Sequence, residues 1–195
     1  MVLAAIIQAR MGSTRLPGKT LAELAGKPLL QHLVERMQRS SFLDEVIIAT
    51  TTLSRDDVLA EFAEKFELKC YRGSEDDVLD RIYQAACHFN VDTIVRVTPD
   101  CPLMDHKVMD KVIRAYLAGG YDYVTNTLRY TYPDGLDVEV IHAAALERAW
   151  NETCLASERE HVTTYIRNSG QFRTLNVESP ADLSHFKWSV DTAEE

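Results

Sequence analysis

The chain has 195 residues, 46% of them hydrophobic, and a formal net charge of −9 at pH 7. A chain of this length is expected to be one domain that buries about 70% of its unfolded surface, so no metal or disulfide is needed to hold a core. The acidic balance argues against a nucleic-acid polymer as partner, because proteins that bind one present a basic face. No stretch approaches the ~20 apolar residues of a membrane span, so we expect no membrane partner.

The four cysteines, at positions 70, 87, 101 and 154, form neither a Cys-x-x-Cys pair nor a zinc-binding spacing. Free thiols are typical of a reducing compartment. The apolar run at residues 1–7 is too short for the core of a signal peptide. Together these features predict a cytoplasmic protein.

A short apolar run at residues 2–7 has the length of a buried strand, and a basic loop follows it. Rigid arginine forks, a mobile lysine and hydroxyl donors in one loop suit a polyphosphate. Gly12 and Gly18 allow backbone amides to turn toward an anion, and Pro17 stiffens the loop between them. The cations and hydroxyls of the loop are Arg10, Ser13, Thr14, Arg15 and Lys19.

This loop departs from the P-loop motif, which has four residues between its glycines and runs into a long helix. Five residues separate Gly12 from Gly18 here, and Gly26 and Pro28 interrupt the chain that follows. The alternative interpretation is a solvated basic loop after an edge strand.

The segments that come next alternate between strand and helix patterns. Such alternation predicts an α/β fold with a mostly parallel, doubly wound sheet. Ser54 with Asp57, and Ser74 with Asp77, predict capped starts for two of the helices. Strands are predicted at residues 45–50, 68–71, 93–97 and 121–125, and helices at residues 29–37, 54–66, 74–89 and 108–117.

The pattern changes after residue 126. A turn-rich excursion at residues 129–135 contains the turn signal Asp134-Gly135. Residues 157–160 read as a capping box that predicts a helix to about residue 168. Further strands are predicted at residues 137–141, 172–177 and 187–190, and a short helix at residues 143–150.

Three features fall just beyond predicted strands, where open α/β sheets bind their ligands. The basic loop follows the first strand, and Asp100 follows the strand at residues 93–97. Asp191 follows the strand predicted at residues 187–190. A single loop aspartate is more often a turn residue or a helix cap. Two of them beside a basic loop instead predict a nucleotide site with Mg²⁺, which prefers a few carboxylates together with phosphate oxygens and water.

The segment IIQARMGSTRLPGKTL, followed by GKPLL, resembles the nucleotide-binding loop of the sugar cytidylyltransferases. These enzymes activate acidic sugars such as KDO and sialic acid as CMP conjugates. The likeness is closest to the branch typified by spore coat polysaccharide biosynthesis protein F. Further matches cover nearly the whole chain: GSEDDVLDR at residues 73–81, TPDCPLMD at 98–105, YPDGLDVEV at 132–140, REHVT at 159–163 and WSVDTAEE at 188–195.

The resemblance implies a Rossmann-like three-layer nucleotide-diphospho-sugar transferase fold with a mostly parallel sheet. Residues 1–195 would form a single cytidylyltransferase-like domain, in which residues 129–168 are an excursion for substrate and dimer contacts. The implied cofactor is Mg²⁺, and the implied partners are CTP, an acidic sugar and a second copy of the chain in a homodimer.

The resemblance also assigns roles to individual residues. Arg10, Lys19 and Asp100 are the implied catalytic residues, and Asp100 and Asp191 are the implied metal ligands. Tyr130 and His142 are further candidates for binding the acceptor. The alternative for Tyr130 and Tyr132 is that they cover a loop. The alternative for His142, Arg159 and His161 is a surface or interface contact. The nucleotide-binding set is Gln8, Ala9, Arg10, Met11, Gly12, Ser13, Arg15, Lys19, Thr51, Gly73, Ser74 and Asp77, and the acceptor-sugar set is Tyr132, Asp137, Glu139, Arg159 and His161.

Several positions depart from the family pattern. Pro99 stands where a glycine is usual, Cys101 replaces the glutamate of the KDO enzymes, and Ala193 replaces a proline. The chain ends four residues after Asp191, whereas relatives continue through at least one more helix. We therefore expect either a shortened C-terminus or a weakly supported second metal site.

Two other functions remain open. One is a non-catalytic nucleotide-binding or assembly subunit, which the proline at position 99 favours. The other is a sugar nucleotidyltransferase or glycosyltransferase of the same fold that uses another nucleotide. A glycosyltransferase would want an Asp-x-Asp motif, and none occurs in the sequence.

Overall fold

The computed structural model describes residues 1–13, 16–192 and 194 of the chain. Its strands are β1 (Leu3–Gln8), β2 (Glu23–Leu24), β3 (Lys27–Pro28), β4 (Glu45–Thr51), β5 (Lys69–Gly73), β6 (Thr93–Val97), β7 (Tyr123–Thr125), β8 (Glu139–His142) and β9 (Thr174–Asn176). Its helices are α1 (Leu29–Met37), α2 (Asp57–Lys65), α3 (Val78–His88), α4 (His106–Leu117), α5 (Ala143–Glu152), α6 (Ala156–His161) and α7 (Thr164–Asn168), with short 3-10 helices at Lys19–Leu21 and Ser54–Asp56.

Seven strands form the central sheet, in the order β5-β4-β1-β6-β8-β7-β9. Neighbouring strands pair in parallel except at β8, which runs antiparallel to β6 and β7. The chain leaves β1 toward β4 and β5 and then crosses back to β6 on the other side of β1. This reversal makes the carboxyl ends of β1 and β6 the topological switch point, the position at which open α/β sheets bind ligands.

The sheet is covered on both faces, because successive side chains of a strand point to opposite sides. In β1, Ala5 and Ile7 join one core with side chains of α1, α2 and α4. Ala4 and Ile6 join the other core with side chains of α3, α5 and α7. These three layers confirm the predicted α/β fold with a mostly parallel sheet.

The strand predicted at residues 187–190 is wrong. Among the described residues, the strand pairing of this segment is one isolated bridge between Lys187 and Asp134, and the Trp188 amide donates to the Asp134 carbonyl at 2.6 Å. The Val190 amide donates to the Asp100 carbonyl, so the amides of this segment bind two separate loops and the segment does not extend the sheet.

The single helix predicted for residues 157–168 is divided into α6 and α7. Val162, with φ 60° and ψ −60°, has the geometry of a γ-turn, and the Thr163 amide donates to the His161 carbonyl at 2.6 Å. A residue in this conformation cannot continue an α-helix, so the helix ends there and turns Thr163 inward.

Two of the three predicted helix caps are also wrong. The helix α6 has Leu155 as its N-cap, which has no side-chain acceptor, and the predicted pair Ser157 and Glu160 lies inside the helix. Ser54 likewise caps no helix. At the third, Ser74 accepts from the Asp77 amide at 3.1 Å, but α3 starts later than predicted, and its N-cap is Asp77, which accepts from the Asp80 amide at 2.8 Å.

Within the part of the chain that the structure describes, no helix combines the length and the apolar composition needed to cross a bilayer. The four cysteines are free thiols.

Candidate active site

The loop after β1 is fastened at Met11. The Met11 carbonyl accepts from the amides of Ser13, at 3.0 Å, and Gly18, at 3.1 Å, so the loop closes on itself. The Met11 amide donates to the Asp56 carboxylate at 2.6 Å, and Asp56 also accepts from the Thr51 hydroxyl. Asp56 is fully buried, and it anchors the loop to the end of β4. Sequence reasoning missed it, since SRDD read as a helix start.

Gly18 turns the chain, with φ +76°, into the 3-10 helix Lys19–Leu21. The ammonium of Lys19 lies 3.0 Å from Asp100 Oδ2 and 3.2 Å from Asp191 Oδ1. Its side chain is only 12% exposed, and those of Asp100 and Asp191 are 25% and 16% exposed. Three predicted residues from three separate loops therefore meet at one point beside the switch point.

The position of Asp191 depends on how the segment before it docks. Gly135 has φ +104°, and a Cβ at Gly135 would stand 2.6 Å from the carbonyl carbon of Trp188. The Val190 amide donates to the Asp100 carbonyl at 2.9 Å. The turn at Gly135 and the loop of Asp100 thus hold the segment that carries Asp191, although no strand forms there.

A first cavity, of about 360 Å³, opens above the basic loop at the switch point. Two more arginines, Arg81 and Arg96, line it, which the sequence analysis did not single out. Arg10 is exposed at its edge and faces the carboxylate of Glu75 at 3.8 Å. Of the residues that the structure describes, four cations and two carboxylates, Asp100 and Glu160, line the cavity, so its lining is net positive in a protein of net charge −9. Its predicted members are Gln8, Arg10, Ser13, Lys19, Asp100 and His161.

Arg81 is a buried cation of this cavity, with 2% of its surface exposed. Burial, and then the nearby Arg10, lower the pKa of Arg81 to about 10. Its Nη1 donates to the Ser74 carbonyl, and its Nε has no hydrogen-bond partner among the described residues. An arginine within the apolar stripe of α3 was the signal that could have revealed it, because unpaired charges are rarely buried without a role.

A second cavity, of about 340 Å³, adjoins the first, and Arg96, Thr98 and His161 line both. Arg167 lines the second cavity and donates to the Thr127 carbonyl at 2.8 Å, and it forms no ion pair with any described residue. An arginine with unused donors suits a carboxylate ligand. The predicted acceptor residues in this cavity are Asp137, Glu139 and His161, and Tyr130 also lines it.

The two carboxylates of the second cavity differ in charge state. Burial, followed by the nearby Asp134, Glu139 and Asp100, raises the pKa of Asp137 to about 7. Burial would also raise the pKa of Glu139, but Arg96 and the hydroxyls of Thr163 and Tyr123 hold it below its ordinary value. At neutral pH Glu139 is therefore a fixed anion, whereas Asp137 can exchange a proton.

Two of the predicted acceptor residues face elsewhere. Arg159 donates to Asp77 at 2.5 Å and to the Trp150 carbonyl at 3.0 Å, which ties α6 to the start of α3. Tyr132 is buried under Lys111, whose ammonium lies 3.0 Å from the phenol oxygen. Neither side chain lines the two cavities.

The remaining predicted nucleotide residues support the loops around the first cavity. Ala9 donates to the Ala49 carbonyl at 3.0 Å, and the Gly73 carbonyl accepts from Thr52 at 3.1 Å. A Cβ at Gly12 would lie 3.0 Å from the guanidinium of Arg55. Arg15 lies outside the described residues, as do Thr14, Ala193 and Glu195.

The donor set at Lys19 suits a magnesium ion that is shared with a polyphosphate. Asp100 and Asp191 both reach the same ammonium, so both could reach a cation in its place. No group of three or more acidic, histidine or cysteine side chains that could hold a metal occurs among the described residues. Two carboxylates leave room for phosphate oxygens and water, which is the coordination that Mg²⁺ favours.

Comparison with known proteins identifies the family to which the chain belongs. A family model described as Cytidylyltransferase matches residues 4–195. Spore coat polysaccharide biosynthesis protein SpsF of Bacillus subtilis is 37% identical over 198 residues, which cover 97% of this chain and 81% of SpsF. A 3-deoxy-manno-octulosonate cytidylyltransferase of Geobacter metallireducens is 36% identical over 118 residues, or 60% of this chain and 46% of that enzyme. A solved cytidylyltransferase structure from Leptospira borgpetersenii matches with a TM-score of 0.95 and 35% identity, covering 100% of this chain and 83% of that one.

Proposed function

The chain belongs to the cytidylyltransferase family, and from this premise we propose that it transfers CMP from CTP to an acidic sugar with release of pyrophosphate. The product would serve the synthesis of a cell-surface or spore coat polysaccharide. The observation that carries the proposal is the meeting of Lys19 with Asp100 and Asp191. Lys19 and Asp100 line the first cavity, which lies directly beside a second cavity. The likeness to SpsF and to a 3-deoxy-manno-octulosonate cytidylyltransferase supports the choice of acceptor.

The first cavity would take CTP. Lys19 and Arg10 would neutralise charge on the phosphates, and Ser13 would add a neutral donor. Asp100 and Asp191 would hold Mg²⁺, which when bound would polarise the phosphate oxygens. The protein need not form a covalent bond to the transferred group. Positioning of the reactants and neutralisation of their charge would therefore supply most of the rate enhancement.

The second cavity would take the acceptor sugar. Arg167, which lines this cavity and forms no ion pair with any described residue, would bind the sugar carboxylate. The acceptor hydroxyl oxygen would form a bond to the α-phosphorus while the bond from that phosphorus to the bridging oxygen breaks, so pyrophosphate leaves with the bonding electrons. The hydroxyl proton would pass to Asp137, whose pKa of about 7 leaves a large fraction ionised at neutral pH.

The test is pyrophosphate release from CTP in the presence of Mg²⁺ and a panel of acidic sugars, with neutral sugars as controls. We expect release with at least one acidic sugar, and isolation of its CMP conjugate. Turnover with neutral sugars alone, or with another nucleotide, would contradict the proposal. The homodimer and the cytoplasmic location stay predictions.

A further inference from the structure

One residue stands where the two cavities meet and takes no part in the roles proposed so far. Arg96 is at the carboxyl end of β6, next to the switch point, and lines both cavities. Its side chain is 11% exposed, so it reaches the cleft from an otherwise buried position.

Neighbouring strands fix the plane of the Arg96 guanidinium. Its Nε donates to Gln8 Oε1, on β1, at 2.7 Å, and its Nη1 pairs with Glu139, on β8. Glu139 is itself held by the hydroxyls of Tyr123 and Thr163, the latter at 2.6 Å. A guanidinium held on two sides loses little conformational freedom when it binds a third group.

The third side of the guanidinium is available. The Nη2 atom of Arg96 makes no hydrogen bond to any residue that the structure describes. Two N–H donors in a fixed plane match the oxygens of a phosphate. Their place at the boundary of two cavities is informative, because attack requires the reacting atoms to approach to about 3–3.5 Å. The phosphorus under attack must therefore lie where donor and acceptor cavities join.

We propose that Arg96 is a further catalytic residue, whose Nη2 edge binds the α-phosphate of the nucleotide, and that Glu139 is its positioning residue. The inference rests on the proposed function. As charge builds on the α-phosphate during transfer, a donor already fixed in place stabilises it without reorganisation. The γ-turn at Val162 contributes indirectly, since it turns Thr163 onto Glu139.

The competing explanation is a buried ion pair that only stabilises the fold. Cytidine and CMP separate the two, because they differ by the α-phosphate alone. We therefore compare binding of both ligands by calorimetry to the native protein and to Arg96→Lys, which keeps a positive charge beside Glu139 but lacks the fork. The matched control is Arg173→Lys, since Arg173 also pairs with a carboxylate, Asp122, far from the cleft.

We expect Arg96→Lys to weaken CMP binding about tenfold, the effect of losing a charged hydrogen bond, while cytidine binding stays unchanged. Arg173→Lys should change neither. Equal losses for both ligands, or no loss, would overturn the role of Arg96 while leaving the proposed function intact. A native protein that binds neither CMP nor CTP would overturn both proposals.

A second variant covers the case in which Arg96→Lys does not fold. The double variant Arg96→Met with Glu139→Gln removes both buried charges, so it leaves no unpaired ion inside the protein. It should bind cytidine like the native protein and show the same selective loss of CMP affinity. Retained CMP affinity in the double variant would overturn the proposal.

Discussion

Lys19 offsets the repulsion between two carboxylates by lying within 3.2 Å of both Asp100 and Asp191. Like charges held together disfavour ionisation unless a cation separates them. The same ammonium is the natural partner of a phosphate that enters the first cavity. The side chain of Lys19 thus holds together three separate segments of the chain and is also available for the proposed phosphate contact.

Replacing Lys19 or Asp100 should remove activity and leave the fold. We expect Lys19→Ala and Asp100→Asn to lower pyrophosphate release by at least about 10²–10³, by analogy with the loss of an oxyanion donor. Both variants should stay folded, because neither residue belongs to the two cores. Lys19→Ala should melt somewhat below the native protein, since it leaves two carboxylates without their cation. The control is Lys27→Ala, which removes an exposed ion pair with Glu35 and should preserve activity. If the Lys19 and Asp100 variants unfold, the result would indicate that these residues stabilise the fold and would contradict their proposed role in catalysis.

Asp137 should make stability depend on pH. Its pKa in the folded protein is about 7, against about 3.9 in an unfolded chain. Between these values the folded state binds more protons than the unfolded state, so stability falls as pH rises toward 7. Asp137→Asn should therefore be more stable than the native protein at pH 8, by about 1–3 kcal/mol, and this gain should shrink toward pH 4.

Urea unfolding at pH 5 and pH 8 measures this difference. Glu61→Gln, which changes an exposed helix residue, controls for the loss of a charge. A gain for Asp137→Asn that is the same at both pH values would contradict the raised pKa of Asp137.

At the scale of elements, the segment of Asp191 is held by a turn. Gly135 has φ +104° and lies against the backbone of Trp188 and Ser189. Glycine adopts this positive φ readily because it has no Cβ. The backbone of Trp188 and Ser189 also leaves no space for a Cβ at this position. The turn motif PDG therefore determines where a candidate metal ligand lies.

The variant Gly135→Ala should damage both stability and binding. We expect a loss of about 1–3 kcal/mol in unfolding free energy from backbone strain and overlap. CTP binding in Mg²⁺ should weaken as well, because Asp191 moves with its segment. The matched control is Gly120→Ala, which has a similar φ of +94° but no atom near its Cβ position. Equal effects of the two variants on CTP binding would contradict the docking role of Gly135.

The elements that the sequence predicts best are those with strong local patterns. The stripe of α1 predicts its bounds, Leu29–Met37, and the apolar run TIVRV predicts β6. The pattern at residues 187–190 resembles a strand, but its amides donate to the carbonyls of Asp134 and Asp100 instead of to a neighbouring strand. Local periodicity carries no information about such long-range contacts. For the same reason the break at Val162 was not predicted.

The candidate site shows the same division between local and long-range information. Lys19 and Asp100 stand out in the sequence because they follow strands at the switch point. Arg96 is inside a strand pattern, and Asp56 resembles a helix start, so neither is visible without the fold. Arg159 resembled a ligand for the acceptor, yet its guanidinium binds Asp77 and two carbonyls. Whether such a residue binds a ligand or supports the fold is decided by its neighbours in the folded chain, which the sequence does not show.

At the scale of the whole molecule, charge is distributed unevenly. The protein carries a net charge of −9, while Arg10, Lys19, Arg81 and Arg96 line one cavity. A local positive field in a cleft concentrates small anions without making the surface basic. This distribution favours a nucleotide over a nucleic-acid polymer as the ligand, and it agrees with membership in the cytidylyltransferase family.

Whether the first cavity binds CTP with Mg²⁺ is measured by calorimetric titration of the native protein with CTP, UTP, GTP and ATP, each with and without Mg²⁺. Asp100→Asn serves as the control for the role of the carboxylates. We expect CTP to bind selectively, and we expect Mg²⁺ to strengthen its binding to the native protein but not to Asp100→Asn. Preference for another nucleotide, or no binding of CTP in the presence of Mg²⁺, would contradict the proposed function.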